Sequence, residues 1–427
     1  MRFSHLTEFF EKLEEISSRN QMTDLLAKLF NEATAENIDK ICYFTMGEIA
    51  AGYKNIYLGI GEEMIKSAIA MAAAVDEQEV DEKFKEIGDL GEVADRLLQI
   101  KEKKFKQFFT FQKNLSVEDV HRGLMKIATA SGSGSQEVKK KTLAAMLADA
   151  TSQERIYLVR LATGAMRLGV GDMTVLDGLS TAFFGSKEKR SELEHAYNVC
   201  SDIGYVAKIL AERGLEGVKN IMIALNRPIR PMLAQRVSEM SQIMEKIESD
   251  VVSAEEKFDG ERIQAHKDGD KVKLFSRRLT DVTSQFPEVV KGVSRDVKAD
   301  NAILDGEVVA YDFDKGVFYS FQKLMKRRRK YEVEKYVEEI PVRYMVFDVL
   351  YADRKSWLKR SYPERRRKVE NIVKKTQYTN VTGHVKSSEL DEIDEFFQDC
   401  LNRGLEGIVC KSCAEDSYYR AGAREWM

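Results

Sequence analysis

A lysine, several acids and an arginine fall together in one octapeptide, Glu255-Glu256-Lys257-Phe258-Asp259-Gly260-Glu261-Arg262. Val251 and Val252 lead in. Ile263 and Ala265 lead out to Asp268-Gly269, a two-residue hairpin signal before the returning run from Lys271 to Phe275. The spacing puts Lys257 at a turn between strands, beside a rigid sheet that can hold a nucleophile in place. A free lysine is protonated at neutral pH. Neighbouring cations such as Arg262, or a bound metal ion, lower its pKa and free the lone pair for covalent catalysis. A hairpin carrying surface charges is the other reading of the same residues.

More ionisable side chains arrive at strand ends. Phe275-Ser276-Arg277-Arg278 closes the hairpin, and Leu304-Asp305-Gly306-Glu307 sets two carboxylates inside an apolar run. Buried carboxylates are costly unless paired or metal-bound, which singles out Glu307. Val346-Phe347-Asp348 repeats the pattern with an aromatic beside an acid. Glu406-Gly407-Ile408-Val409-Cys410-Lys411 starts a strand with an acid and carries a lysine inside it. Strand parity puts Lys411 on the face of Gly407 and Val409, opposite Ile408 and Cys410. Core packing explains the aliphatic residues of all four segments and not the charged ones.

The elements that position these groups change along the chain. Residues 1–215 hold none of the five prolines and read as long, uninterrupted helices, with Phe3, Leu6, Phe9, Phe10 and Leu13 at helical spacing and Ser116–Asp119 as an N-terminal cap. Two loops interrupt them. Ser131-Gly132-Ser133-Gly134-Ser135 precedes Lys139-Lys140-Lys141, and free backbone amides at a helix start beside lysines make a phosphate cradle or a flexible linker. Arg167-Leu168-Gly169-Val170-Gly171 allows close backbone approach to a ligand, or ends one helix before a new cap at Asp172. Residues 216–235, with Arg227-Pro228-Ile229-Arg230-Pro231, read as an extended connector. Period two follows in residues 236–427, with strands at 262–267, 271–276, 302–311, 342–350 and 407–411 and helices near 234–248, 363–375 and 389–403. An all-α domain thus precedes an α+β domain.

Composition excludes some classes. The 427 residues are 43% hydrophobic and 32% charged with a net charge of −3, which describes a globular protein without a global basic excess. The runs 326–330 (Lys-Arg-Arg-Arg-Lys) and 365–368 (Arg-Arg-Arg-Lys) read by default as solvated helix faces, with a phosphate patch as the alternative. No apolar run is long enough to span a membrane, and the N-terminus lacks a signal-peptide core. Five scattered cysteines suit a reducing cytoplasm, and Cys410-x-x-Cys413 lacks the further ligands of a zinc site.

Taken together, the ordered segments at 257–262, 276–278, 304–307, 346–348 and 406–411 resemble the covalent nucleotidyltransferase superfamily, and within it the ATP-dependent DNA ligases of the archaeal and eukaryotic replicative type. The helical part is similar to that family's DNA-binding domain through residues 131–135, 167–171 and 230–234. The resemblance implies a multidomain protein: an all-α DNA-binding domain (1–215), a connector (216–235) and an α+β adenylation domain with antiparallel sheets (236–427). It implies that Lys257 attacks the α-phosphorus of ATP. Glu255 would read the adenine amino group, Phe347 stack on adenine, Arg262 lie near the sugar or the nick, and Arg277 hold phosphate. Glu307 would contact the ribose or a metal-bound water, Glu406 would help hold Mg²⁺ or Mn²⁺, and Lys411 would neutralise the α-phosphate. Ser135, Lys139, Arg167, Gly169 and Gly171 are the candidate DNA contacts. The implied partner is nicked duplex DNA, with a sliding clamp as a further candidate, for a cytoplasmic monomer without a membrane. The sequence stops at Met427, before a strand with two lysines and a C-terminal oligonucleotide-binding barrel that the family carries, so the expectation is a fragment with impaired sealing. The competing readings are a nick-binding protein without catalysis and an RNA ligase or capping-type nucleotidyltransferase.

Overall fold

The computed structural model describes residues 1–104, 114–247, 249–327 and 333–427. They form two compact units, one of Met1–Tyr197 with Asp202–Ile221 and one of Asn198–Ser201 with Met222–Met427.

The first unit is helical. Phe3–Glu14 buries Phe3, Leu6, Phe10 and Leu13 on one face, and Phe10 meets Tyr157 of Ser152–Thr163 edge-on at 5.3 Å. Val117–Thr129 starts with the expected cap: Ser116 Oγ accepts from the Asp119 amide at 3.0 Å, and the Asp119 carboxylate accepts from the Ser116 amide at 3.2 Å. The helices are not long and uninterrupted, as the lack of proline suggests. Those described run from 8 residues (Ile38–Thr45) to 17 (Ile203–Lys219), and the longer one is kinked at Gly214. Left-handed residues end them instead, among them Gly88 (φ +79°), Gly164 (φ +69°) and Gly185 (φ +75°).

The second unit is built on strands, β1 (Leu233–Ala234), β2 (Val252–Lys257), β3 (Glu261–Asp268), β4 (Lys271–Ser276), β5 (Asn301–Asp312), β6 (Val317–Phe318), β7 (Val342–Ala352), β8 (Lys355–Ser356), β9 (Thr379–Val381), β10 (His384–Ser387), β11 (Gly407–Ser412) and β12 (Arg424–Trp426). The large sheet has the order β4-β3-β5-β7-β8, with β6 on β5 and β9 on β7. A second sheet has the order β10-β2-β11, and β1 pairs with β12. Pairing is antiparallel except for β7–β9 and β1–β12. Ile263, Ala265, Leu304, Val308 and Val346 of the large sheet pack with Val289 and Val293 of helix Pro287–Asp296 and Val369 of helix Tyr362–Ile372.

Three details differ from the sequence expectation. The β3–β4 turn is Gly269-Asp270, closed by the pair Asp268↔Lys271, because Asp268 still belongs to the ladder. The helix expected over 234–248 is confined to Ser241–Ile247, since Leu233 and Ala234 are held in β1. The basic runs are not solvated faces throughout. Arg327 is buried on Glu288 and the carbonyls of Gln285 and Ile340. Arg365 is buried in a bidentate pair with Asp348 (2.8 and 3.1 Å), and Arg366 is buried on Glu255 (2.8 Å). Arg328, Arg329 and Lys330 lie outside the described residues.

Candidate active site

A cavity of about 890 Å³ opens where the two larger sheets of the second unit meet. Residues 258–260 are the hinge between those sheets, since Lys257 ends β2 and Glu261 starts β3. Gly260 is dictated by space. A Cβ there would lie 2.4 Å from the Val308 carbonyl and 2.8 Å from Glu307 Cγ, so only glycine lets the turn lie against β5. Antiparallel register pairs Gly407 with Lys257 and Val409 with Glu255, and the Glu406 amide donates to the Lys257 carbonyl at 2.9 Å. The alternation of a strand then turns Glu255, Lys257 and Lys411 to one face. Ala254 and Cys410 turn to the other, into a core with Ile243 and Ile393. Cys410 is thus an ordinary core side chain.

Lys257, 36% exposed, forms an ion pair with Glu406, an acid rather than the neighbouring cation that its activation by Arg262 would require. Arg262 is committed elsewhere. Its guanidinium grips Asp305 at 3.1 and 2.7 Å, donates to the Met232 carbonyl at 2.7 Å, and lies over Phe347 and Trp426 at 5.3 and 5.2 Å. Burial opposes its charge, and Asp305 more than restores it, so its pKa stands above the ordinary arginine value. Asp305 also accepts from Tyr419 Oη at 2.9 Å, which satisfies one of the two carboxylates of Leu304–Glu307. The other, Glu307, faces the cavity half-buried. Desolvation pushes its pKa up to about 8, with Arg262 and Lys257 opposing and Asp305 and Glu406 reinforcing.

Glu255 is buried and engaged on both oxygens. Lys411, itself buried, sits 2.5 Å from Oε2, while Arg366 (2.8 Å) and Tyr362 (2.6 Å) both donate to Oε1. The Lys411 ammonium also lies over the rings of Trp426 (4.4 Å) and Phe347 (4.8 Å). Arg277 is exposed on the loop after β4 and lines the same cavity. All eight residues singled out in this half of the sequence therefore line one cavity. Trp426 and Leu233 line it too and had no signal in the spacing of charged residues. Arg366 and Tyr362 were hidden in what looked like a charged helix.

Among the described residues no group of three or more His, Cys, Asp and Glu side chains is arranged to hold a metal ion. Two carboxylates of one cavity, Glu307 and Glu406, nonetheless suit a hard cation that takes one or two carboxylates and completes its shell with substrate phosphates and water.

In the first unit, Ser135 is the first residue of helix Ser135–Asp149, after Gly134 at φ +82°. Lys139 is tied to the carbonyls of Leu58 (2.8 Å) and Gly59 (3.1 Å). Arg167 has an exposed side chain and a left-handed backbone (φ +57°), with Nη1 3.6 Å from Asp89. Gly169 shares its loop (φ +66°), and Gly171, not Asp172, caps helix Asp172–Phe184. Among the described residues no helix is long and apolar enough to cross a membrane.

Residues 231–427 match the family model for the ATP dependent DNA ligase domain, and residues 2–180 that for the DNA ligase N terminus. The fold is thus a helical ligase N-terminal part followed by an antiparallel-sheet nucleotidyltransferase domain. The chain is 42% identical over 429 residues to DNA ligase 2 of Thermofilum pendens, covering 100% of this chain and 71% of that one. It is 39% identical over 435 residues to the DNA ligase of Staphylothermus marinus, covering 100% and 73%. The solved structure "Pmar-Lig_PreS3" shares the fold over 99% of this chain and 77% of its own, with a TM-score of 0.53 at 15% identity. The chain belongs to the ATP-dependent DNA ligase family.

Proposed function

We propose that this protein seals nicks in duplex DNA through a lysine adenylate on Lys257. The observation that carries the reading is the cavity itself, which gathers a partly exposed lysine at a strand end with carboxylates (Glu255, Glu307, Glu406), cations (Arg262, Arg277, Lys411) and aromatic rings (Phe347, Trp426). Family membership supports ATP as the nucleotide and the sealing of nicked DNA as the reaction, and favours neither the non-catalytic nor the RNA-directed reading.

The chemistry follows from these groups. Lys257 Nζ, once deprotonated, attacks the α-phosphorus of ATP; a P–N bond forms and the bond to pyrophosphate breaks. The AMP then passes to the 5′-phosphate at the nick, and the 3′-hydroxyl attacks that phosphate and releases AMP. Glu255 accepts a hydrogen bond from the adenine amino group, Phe347 stacks on the base, and Arg262 fixes the cavity wall through Asp305. Arg277 and Lys411 neutralise phosphate. Glu307 and Glu406 would hold a divalent cation, Mg²⁺ or Mn²⁺, which would supply further neutralisation of the phosphates. The helical unit binds duplex DNA through Ser135, Lys139, Arg167, Gly169 and Gly171, with contacts to backbone rather than base edges, because a nick must be sealed at any sequence. The same reading makes the protein a cytoplasmic monomer, with a sliding clamp as a further partner to test.

Incubation with ATP labelled at the α-phosphate and Mg²⁺, followed by a denaturing gel, tests the central step. A covalent label on the wild type that is absent from Lys257→Ala supports it; a label that survives moves the nucleophile elsewhere.

A further inference from the structure

We infer that Arg366 and Tyr362, which do not line the cavity, set its choice of purine base by fixing Glu255 from behind. The inference rests on the proposed role of Glu255 at the base. Helix Tyr362–Ile372 starts at a capping box on Ser361 and Glu364, so its first turn is fixed. Tyr362 and Arg366 are four residues apart, hence on one face of the helix, and that face abuts β2. Both donate to the same oxygen, Glu255 Oε1. Arg366 is itself fixed on its other sides, by Thr382 Oγ1 (2.9 Å), the Thr382 carbonyl (2.5 Å) and Glu370 (2.8 Å). Tyr362 is steadied by Ser253 at 3.2 Å.

A carboxylate oxygen has two lone-pair sites. Oε1 therefore has both occupied. Among the described residues Oε2 meets only Lys411, which leaves one acceptor site on the oxygen shared with the cavity-lining lysine. A carboxylate oxygen with one acceptor site left pairs with an exocyclic amino group and not with a carbonyl oxygen. Adenine carries the amino group at that ring position, and guanine carries an oxygen. The buried guanidinium of Arg366 and the hydroxyl of Tyr362 hold Oε1, so Oε2 is the oxygen left to meet the base. Without them the carboxylate is free to turn, its one open acceptor site loses its fixed direction, and the discrimination would fade.

Kd values for ATP and GTP, read by equilibrium dialysis of labelled nucleotides, test this on the whole chain. The variants are Lys257→Ala, Arg366→Met, Arg366→Lys and Tyr362→Phe, with thermal unfolding checked for each. The wild type should prefer ATP. Lys257→Ala should keep that preference while losing the covalent label, which separates the base-reading pair from the nucleophile. Arg366→Met should lower the Kd(GTP)/Kd(ATP) ratio by roughly tenfold to a hundredfold, the scale on which buried polar partners discriminate. Arg366→Lys should recover part of it, and Tyr362→Phe, which keeps the ring, should lower it less. If Arg366→Met does not fold, Tyr362→Phe decides. A wild type without preference overturns the proposal. So do folded variants that weaken both nucleotides equally.

Discussion

Replacing Gly260 by alanine tests whether the turn beside Lys257 is held by space. The new Cβ would lie 2.4 Å from the Val308 carbonyl oxygen, where ordinary contact begins at 3.4 Å, so 1.0 Å of separation must be found (3.4 − 2.4). Val308 cannot yield it, because β5 is paired on both sides, with Glu261 of β3 and Tyr344 of β7. Glu307 Cγ and Val309 Cγ1, at 2.8 and 2.9 Å, close the other directions. The turn must move instead, and Lys257 with it. Forcing a group into a packed site costs about 1–3 kcal/mol, which urea titration should show as a lower midpoint at unchanged slope. A displacement of about 1 Å at a reacting group costs on the order of 10²-fold in rate, which single-turnover labelling of Lys257 should show. Gly269→Asn is the control: that position is left-handed (φ +57°) with nothing within 4 Å of a Cβ, and asparagine tolerates the conformation. Wild-type stability and labelling rate in Gly260→Ala would refute the steric argument.

Arg262→Ala should destabilise the protein by about 3–5 kcal/mol in urea titration, because it leaves Asp305 buried beside a neutral Tyr419. The pH dependence of stability should carry a mark of Glu307. Its folded pKa of about 8 lies above the ordinary 4.5, so its contribution is greatest below 4.5 and declines as pH rises toward 8. Glu307→Gln should flatten the urea midpoint against pH in that window, and an unchanged slope would count against the desolvated carboxyl. Duplex DNA binding by the whole chain should weaken linearly in log K against log salt. Lys139→Ala and Arg167→Ala should each reduce the slope by about 1 if each meets one phosphate, and slopes that do not move would remove these residues from the interface.

The strands bearing ionisable residues were legible because charge inside an apolar, period-two run has few explanations besides a site. Glu307 and Lys411 stood out on that ground, and both line the cavity. The burial of Arg365 and Arg366 was illegible because their partners are remote. Asp348 lies 17 residues away and Glu255 111, and a local run of four cations carries no trace of either. Strands of three or four residues such as β9, β10 and β12 are too short for periodicity to register. Helix ends in the first unit depended on glycine, and the absence of proline was a poor guide to length.

The parallel pairing of β1 with β12 has a consequence for how the second unit comes into being. Leu233 aligns with Arg424 and Ala234 with Trp426, so nearly the whole sequence of the unit lies between two strands that touch. Closing so long a loop is paid for in chain entropy before the contact repays it, which makes this pairing a late event in folding. The β3–β4 hairpin is local and can form early; the wall that Trp426 lends to Arg262 and Lys411 cannot. During synthesis the helical unit emerges first. Lys257 leaves the ribosome about 170 residues before Trp426, and on this topology it waits in an open groove until that residue arrives. The second unit therefore cannot complete its cavity until the helical unit has had time to fold.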